Sequence, residues 1–218
     1  MKRFINENSL SIVLFALFFV TLVGLSITGY THYNQELTAH GQAEVSMTRF
    51  LTSGTYIESI FENWESEFLQ MGALVLLTIW FRQKGSKDSK KLRGPDKAEV
   101  KSKYSITKTP WPKKWDALKE ALYANSLSLA LFGLFFVSLA LHALGGAAAY
   151  NQEAVQHGES TVTTWQYIST SQFWFESFQN WQSEFLSVGV LIVFTIFLRQ
   201  RYSPESKPMG EPNAKTGG

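Results

Sequence analysis

Two carboxylates, Glu67 and Glu184, occupy equivalent places 117 positions apart, each within Asn-Trp-x-Ser-Glu-Phe-Leu and each leading into an apolar run. At 100° per residue, Asn63 and Ser66 share a helical stripe with Glu67, and Asn180 and Ser183 share one with Glu184. If those helices lie in a bilayer, an ionisable group on them is costly and is a functional hypothesis by default. Two such carboxylates facing each other would share a proton or bind a cation. The plainer role for all six residues is packing against a partner helix, or exposure to headgroup water.

A second constellation pairs Glu36 with His40 and Glu153 with His157. Residues four apart share a helix face, and zinc accepts both ligand types. The spacing nevertheless differs from the Glu-x-x-His of di-iron carboxylate bundles. A histidine beside the stopping glycines Gly41 and Gly158 also suits the negative end of a helix dipole. These four residues are therefore weak metal candidates, and no metal is assigned. His142 matches Leu25 in the other copy and His32 matches Ala149, so no facing pair exists for a bis-histidine haem. The chain has no cysteine, which excludes thiol redox chemistry and thiolate metal sites. With no glycine-rich phosphate loop or nucleophilic triad either, the expectation is a protein that is not an enzyme and carries no cofactor. The alternatives are a small ion or proton transporter or channel using Glu67 and Glu184 and, third, a metal-dependent membrane enzyme built on Glu36, His40, Glu153 and His157.

The elements that must position these residues come in two copies. Asn8–Ser86 aligns without a gap onto Asn125–Ser203, with roughly 33 of 79 positions identical, so the chain is two copies of one structural unit. Each copy opens with a mostly apolar run, Ser9–Gly29 or Ser126–Gly146, long enough for the ~20 residues that cross a bilayer. Asn8 and Asn125 stand where an N-cap belongs. The second apolar runs, Phe68–Phe81 and Phe185–Leu198, are short and must borrow residues upstream. Helix-period stripes there predict helices over about Tyr56–Gln83 and Phe173–Gln200. Trp64 and Trp181 then stand as headgroup-level anchors. The reading is an all-α membrane protein with four transmembrane helices, two tandem hairpins in the parallel-repeat arrangement. Small residues that would let helices approach include Gly24, Ser26, Gly72, Gly133, Ser138, Ala140 and Gly189.

Charge orients the hairpins. Nineteen of the 20 Lys and Arg residues lie at the N-terminus, in Arg82–Lys119 or after Arg199, while His32–Glu67 and Ala149–Glu184 hold ten carboxylates and one cation, Arg49. Basic loops stay cytoplasmic, which puts both termini and the central linker on that side. Residues 1–28 are expected to be retained rather than cleaved, because the same element recurs deep in the chain at Asn125. The divisions are thus 1–86, the first hairpin; 87–114, a basic linker; 115–203, the second hairpin led by an interfacial helix anchored at Trp115; and 204–218, a disordered tail. The linker suits anionic lipid rather than nucleic acid. The expected partners are the bilayer, another membrane protein or a second copy of the chain.

Together, NSLS with its apolar run, YNQE…HG, Asn63-Trp64-Glu65-Ser66-Glu67-Phe68-Leu69 and the exit through Arg-Gln resemble a family of bacterial integral membrane proteins known only as a domain of unknown function. The family's motif block corresponds to about one repeat with its flanks, so both copies are covered. The second copy reads Gln182 where the first has Glu65, which makes Glu65 a weaker candidate than Glu67. The resemblance implies the cytoplasmic (inner) membrane of a bacterium, and it supplies no activity, substrate or catalytic residues.

Overall fold

The computed structural model of the chain describes residues 2–92 and 117–217. Trp115 and most of the basic linker lie outside the described residues. Among those described, every regular element is a helix: α1 (Lys2–Glu7), α2 (Ser9–Ala39), α3 (Met47–Leu51), α4 (Gly54–Trp80), α5 (Ala117–Ala124), α6 (Ser126–Gln156), α7 (Thr164–Ile168) and α8 (Ser171–Phe197). Each boundary of α2, α3 and α4 recurs 117 positions later in α6, α7 and α8, as 9 to 126, 39 to 156, 47 to 164, 51 to 168, 54 to 171 and 80 to 197.

Local chemistry accounts for the ends. Gly41 and Gly158 both take φ +72°, the left-handed conformation that closes a helix without a Cβ penalty. At the start of α2, Asn8 makes no side-chain cap; its amide instead donates to the Phe4 carbonyl at 2.8 Å, closing α1. Asn125 does the same to Ala121 at 2.8 Å, closing α5. The expected N-caps therefore finish the helix before them.

Three of the described helices, α2, α6 and α8, are long and apolar enough to cross a membrane. The surface of α2 is apolar all round: Leu10, Phe15, Phe19, Val20 and Val23 are each more than half exposed. A helix apolar on every side needs an apolar surrounding. The expected fourth crossing, α4, is not among the three. It carries Glu65 and Gln70 where α8 has Gln182 and Ser187, and that polarity dilutes its apolar run.

The described chain divides into two compact units, with α4 and α6 contributing to both. The first takes in the chain to Ile60 and His142–Tyr167. In it, α4 crosses α6 with almost no side chain between them. A Cβ built on Gly54 would fall 2.6 Å from the Ala149 nitrogen and the Gly145 oxygen, and one on Gly145 would fall 2.6 Å from the Glu58 nitrogen. The expected small-residue contacts at Gly24, Gly133 and Gly189 do not form, since nothing lies within 4 Å of a Cβ there. Ser26 is engaged, bonded to the Tyr56 hydroxyl at 2.6 Å. The asparagines of the YNQE motif are loop staples. Asn34 accepts from the Val45 nitrogen at 2.8 Å and donates to its carbonyl at 3.2 Å, and Asn151 holds Val162 in the same way at 2.7 and 2.8 Å.

The second unit takes in Phe61–Leu141 and the chain from Ile168. Phe132 of α6 packs on Gly72 of α4 at 3.1 Å from its would-be Cβ, and Ser138 is buried. The segments leaving α4 and α8 form twin loops. The Gln83 nitrogen donates to Ser89 Oγ at 2.9 Å and the Gln200 nitrogen to Ser206 Oγ at 2.8 Å, with the left-handed positions at Gly85 and Tyr202. The likeness of the two copies thus runs past Ser86 and Ser203, through Arg-Gln-x-x-Ser-x-Asp/Glu-Ser-Lys.

Residues 204–217 are also ordered into turns, where composition predicts a disordered tail. Lys207 explains this. It is buried, and its ammonium donates to the carbonyls of Asn213 at 3.1 Å and Lys215 at 2.7 Å, gathering the tail around one cation. The Gly85 nitrogen donates to Thr216 and the Gly217 nitrogen to the Ser86 carbonyl, which closes the tail onto the first loop. A hydrogen bond from the Lys215 ammonium holds the Glu211 carboxyl below its ordinary value of 4.5. A carboxyl depressed on folding contributes stability that is present above its unfolded value and lost as pH falls through the folded one. Tail docking is therefore expected to hold from neutral pH down to about 4.5 and to weaken below it. Faster amide exchange at Gly85 and Gly217, measured relative to a Glu211→Gln protein at the same pH, checks this.

Candidate functional site

His142, Gly145, Gly146 and Ala149 follow one another at intervals of three, one and three along α6, so they line one face. Gly145 has no side chain, which admits the backbone of α4, and the space at Gly146 is taken by the Tyr167 ring. One turn beyond Gly54, Glu58 is brought alongside His142, with a carboxylate oxygen and a ring nitrogen within 4.8 Å of each other. Tyr167, from α7, lies over Gly146 and donates its hydroxyl to Glu58 Oε1 at 3.1 Å. His142 and Tyr167 are both 0 % exposed and Glu58 is half-buried. All three belong to the first unit. A buried imidazole beside a carboxylate anchored by a phenol can hold or pass a proton, and can ligate a cation.

The residues singled out from the sequence fare differently. Glu67 is exposed and Glu184 half-buried, and each lies within electrostatic reach of the other. Their companions are occupied locally. Ser66 donates to the Asn63 carbonyl at 2.7 Å, Ser183 to the Asn180 carbonyl at 2.8 Å, and the Asn180 amide to the Glu176 carbonyl at 3.2 Å. Serine hydroxyls inside a helix commonly bond back to the preceding turn in this way. In burial the order of Glu65 and Glu67 is the opposite of their order as candidates. Glu65 is 0 % exposed and accepts from Trp181 Nε1 at 3.0 Å, a buried carboxylate with a dedicated donor. Trp181, expected only as a headgroup anchor, also meets Phe135 edge-on at 6.2 Å and Phe178 at 5.6 Å. Trp64 packs on Phe61 at 5.1 Å.

Neither Glu-x-x-x-His pair gathers further ligands among the described residues. His40 Nδ1 contacts the backbone carbonyl of Glu36 at 2.8 Å, while the Glu36 carboxylate reaches His32 at 3.4 Å. Glu153 and His157 are both exposed. The i, i+4 spacing puts these residues on one face, but the His40 ring turns to a carbonyl of the last helical turn.

The sequence reading passed over His142, Glu58 and Tyr167 because it weighed what the copies share. Their counterparts are Leu25, Phe175 and Phe50. The usable signal was the opposite one: places where one copy is apolar and the other carries a titratable or hydroxyl group.

Neither a comparison with curated proteins nor one with solved structures finds a match for the chain. A family model matches residues 1–218. The chain belongs to that family, described as Domain of unknown function (DUF6766).

Proposed function

We propose that the protein is a four-crossing integral protein of a bacterial cytoplasmic membrane, made of two tandem hairpins of parallel orientation with both termini cytoplasmic. Its role is non-enzymatic, carried by contacts with lipid, with a second copy or with another membrane protein. The observation that carries this reading is the apolar, exposed circumference of α2, joined by the apolar lengths of α6 and α8. A fourth crossing by α4 is supported by its 27 residues, the same as α8, which give about 40 Å of helix at ~1.5 Å per residue. The duplication is supported by the 117-residue recurrence of every boundary. The orientation rests on the basic flanks of the apolar segments.

Alkaline phosphatase fusions test the topology. Activity is expected after Gln42 and Glu159, and none after Ser86 or at the C-terminus. Activity after Ser86 would show that α4 does not cross, and would end the four-crossing reading.

One observation favours a second reading, proton or cation handling: the buried His142 with Glu58 and Tyr167. This placement is better supported than one on Glu67, which is exposed where His142 is fully buried. His142→Leu, which copies Leu25, is expected to abolish any proton or cation flux seen with wild-type protein in liposomes. Equal flux from the two proteins removes this reading.

A further inference from the structure

A groove of about 780 Å³ opens in the first unit at the C-terminal ends of α2 and α6. That volume falls in the range of small-molecule sites. Its frame is fixed. The Gln152 amide meets the Tyr33 hydroxyl at 2.8 Å across α2 and α6, and the Asn34 staple on Val45 holds the rim loop. Arg49 and Glu44 are among the residues that line it.

Arg49 is the one cation within His32–Glu67 and Ala149–Glu184, among ten carboxylates. Its guanidinium is exposed and makes no ion pair or hydrogen bond among the described residues. Glu44, exposed in the same groove, has none either, so two opposite charges line one groove without pairing with each other. A guanidinium fork matches the oxygens of a phosphate bidentately, and a lone carboxylate suits an ammonium. The position narrows the ligand further. Tyr33 follows the apolar run of α2 by four residues, so the groove stands where a crossing helix leaves hydrocarbon for headgroups. The second copy has Gln166 and Thr161 in place of Arg49 and Glu44, which leaves one such charge pair per chain.

We propose that this groove binds a phosphodiester bearing an ammonium group, with the phosphate on Arg49 and the ammonium at Glu44. This goes beyond the topology and contact role argued above, and it uses only α2, α3, α6 and the segments that flank α3. Two sources carry that chemistry, a zwitterionic phospholipid headgroup and its soluble glycerophosphodiester.

The test is retention of lipid by the full chain in detergent, read by native mass spectrometry with phosphatidylethanolamine and phosphatidylglycerol offered in equal amounts. Wild-type protein is expected to retain the ethanolamine lipid about tenfold better. Arg49→Gln, which copies Gln166, loses retention of both. Glu44→Gln keeps binding but loses the preference, and because it is the milder change it keeps the test decisive if Arg49→Gln fails to fold. Displacement by soluble glycerophosphoethanolamine assigns the site to the free headgroup, whereas retention against it assigns the site to the membrane lipid; either outcome supports the chemistry. Equal retention of the two lipids by wild-type protein, or an unchanged preference in Glu44→Gln, overturns it.

Discussion

Gly54→Ala and Gly145→Ala each destabilise the protein by about 1–3 kcal/mol, while Gly24→Ala, Gly133→Ala and Gly189→Ala leave it unchanged or slightly more stable. All five add the same methyl group, which helix propensity favours at the four interior positions, while Gly54 opens α4. What separates them is the space the methyl enters. At Gly54 it meets the Gly145 oxygen and the Ala149 nitrogen at 2.6 Å, and at Gly145 it meets the Glu58 nitrogen at 2.6 Å. These are backbone atoms, which cannot move aside as a side-chain tip can, so α4 and α6 must separate. At Gly24, Gly133 and Gly189 nothing lies within 4 Å. Unfolding of the purified protein in mixed micelles, titrated with denaturing detergent, measures the set. Equal behaviour of all five variants would show that α4 and α6 do not touch through their backbones.

Tyr167→Phe is the second large effect, a loss of about 1–3 kcal/mol from removing one oxygen. Shape is not at issue, because Phe50 occupies the equivalent place in the first copy and packs 5.4 Å from Tyr33 much as Tyr167 packs 5.8 Å from Tyr150. The cost comes from Glu58, whose Oε1 loses the donor 3.1 Å away. A hydrogen bond to a charged acceptor contributes more than one between neutral groups, about 1.5–3 kcal/mol. Replacing both partners by apolar groups removes donor and acceptor together, so Tyr167→Phe with Glu58→Phe, the residue type of Phe175, loses less than the sum of the two single changes. The double-mutant cycle reads this in the same unfolding measurement. Strict additivity would mean that the phenol and the carboxylate are not coupled.

Much of the fold was legible without coordinates. Apolar runs placed α2, α6 and α8. The stopping glycines at 41 and 158 marked two helix ends, because only glycine takes φ +72° at no steric cost. The periodic stripes upstream of Phe68 and Phe185 carried α4 and α8 back past Trp64 and Trp181 into the polar segments. The tail was misjudged because composition does not show that one lysine, Lys207, can order a polar segment through three of its carbonyls.

The candidate site was the least legible part. Glu67 and Glu184 stood out because both copies carry them, yet the fully buried carboxylate is Glu65, and the buried imidazole is His142, which has no counterpart. Residue types and periodicity settled which segments are helical and where they end, since those depend on neighbours along the chain. Tertiary structure alone decided which glycines touch backbone and which ionisable groups are withdrawn from their surroundings. Burial and close approach belong to a residue's neighbours in space, and at a crossing such as Gly54 over Gly145 those neighbours come from non-equivalent positions of the two copies.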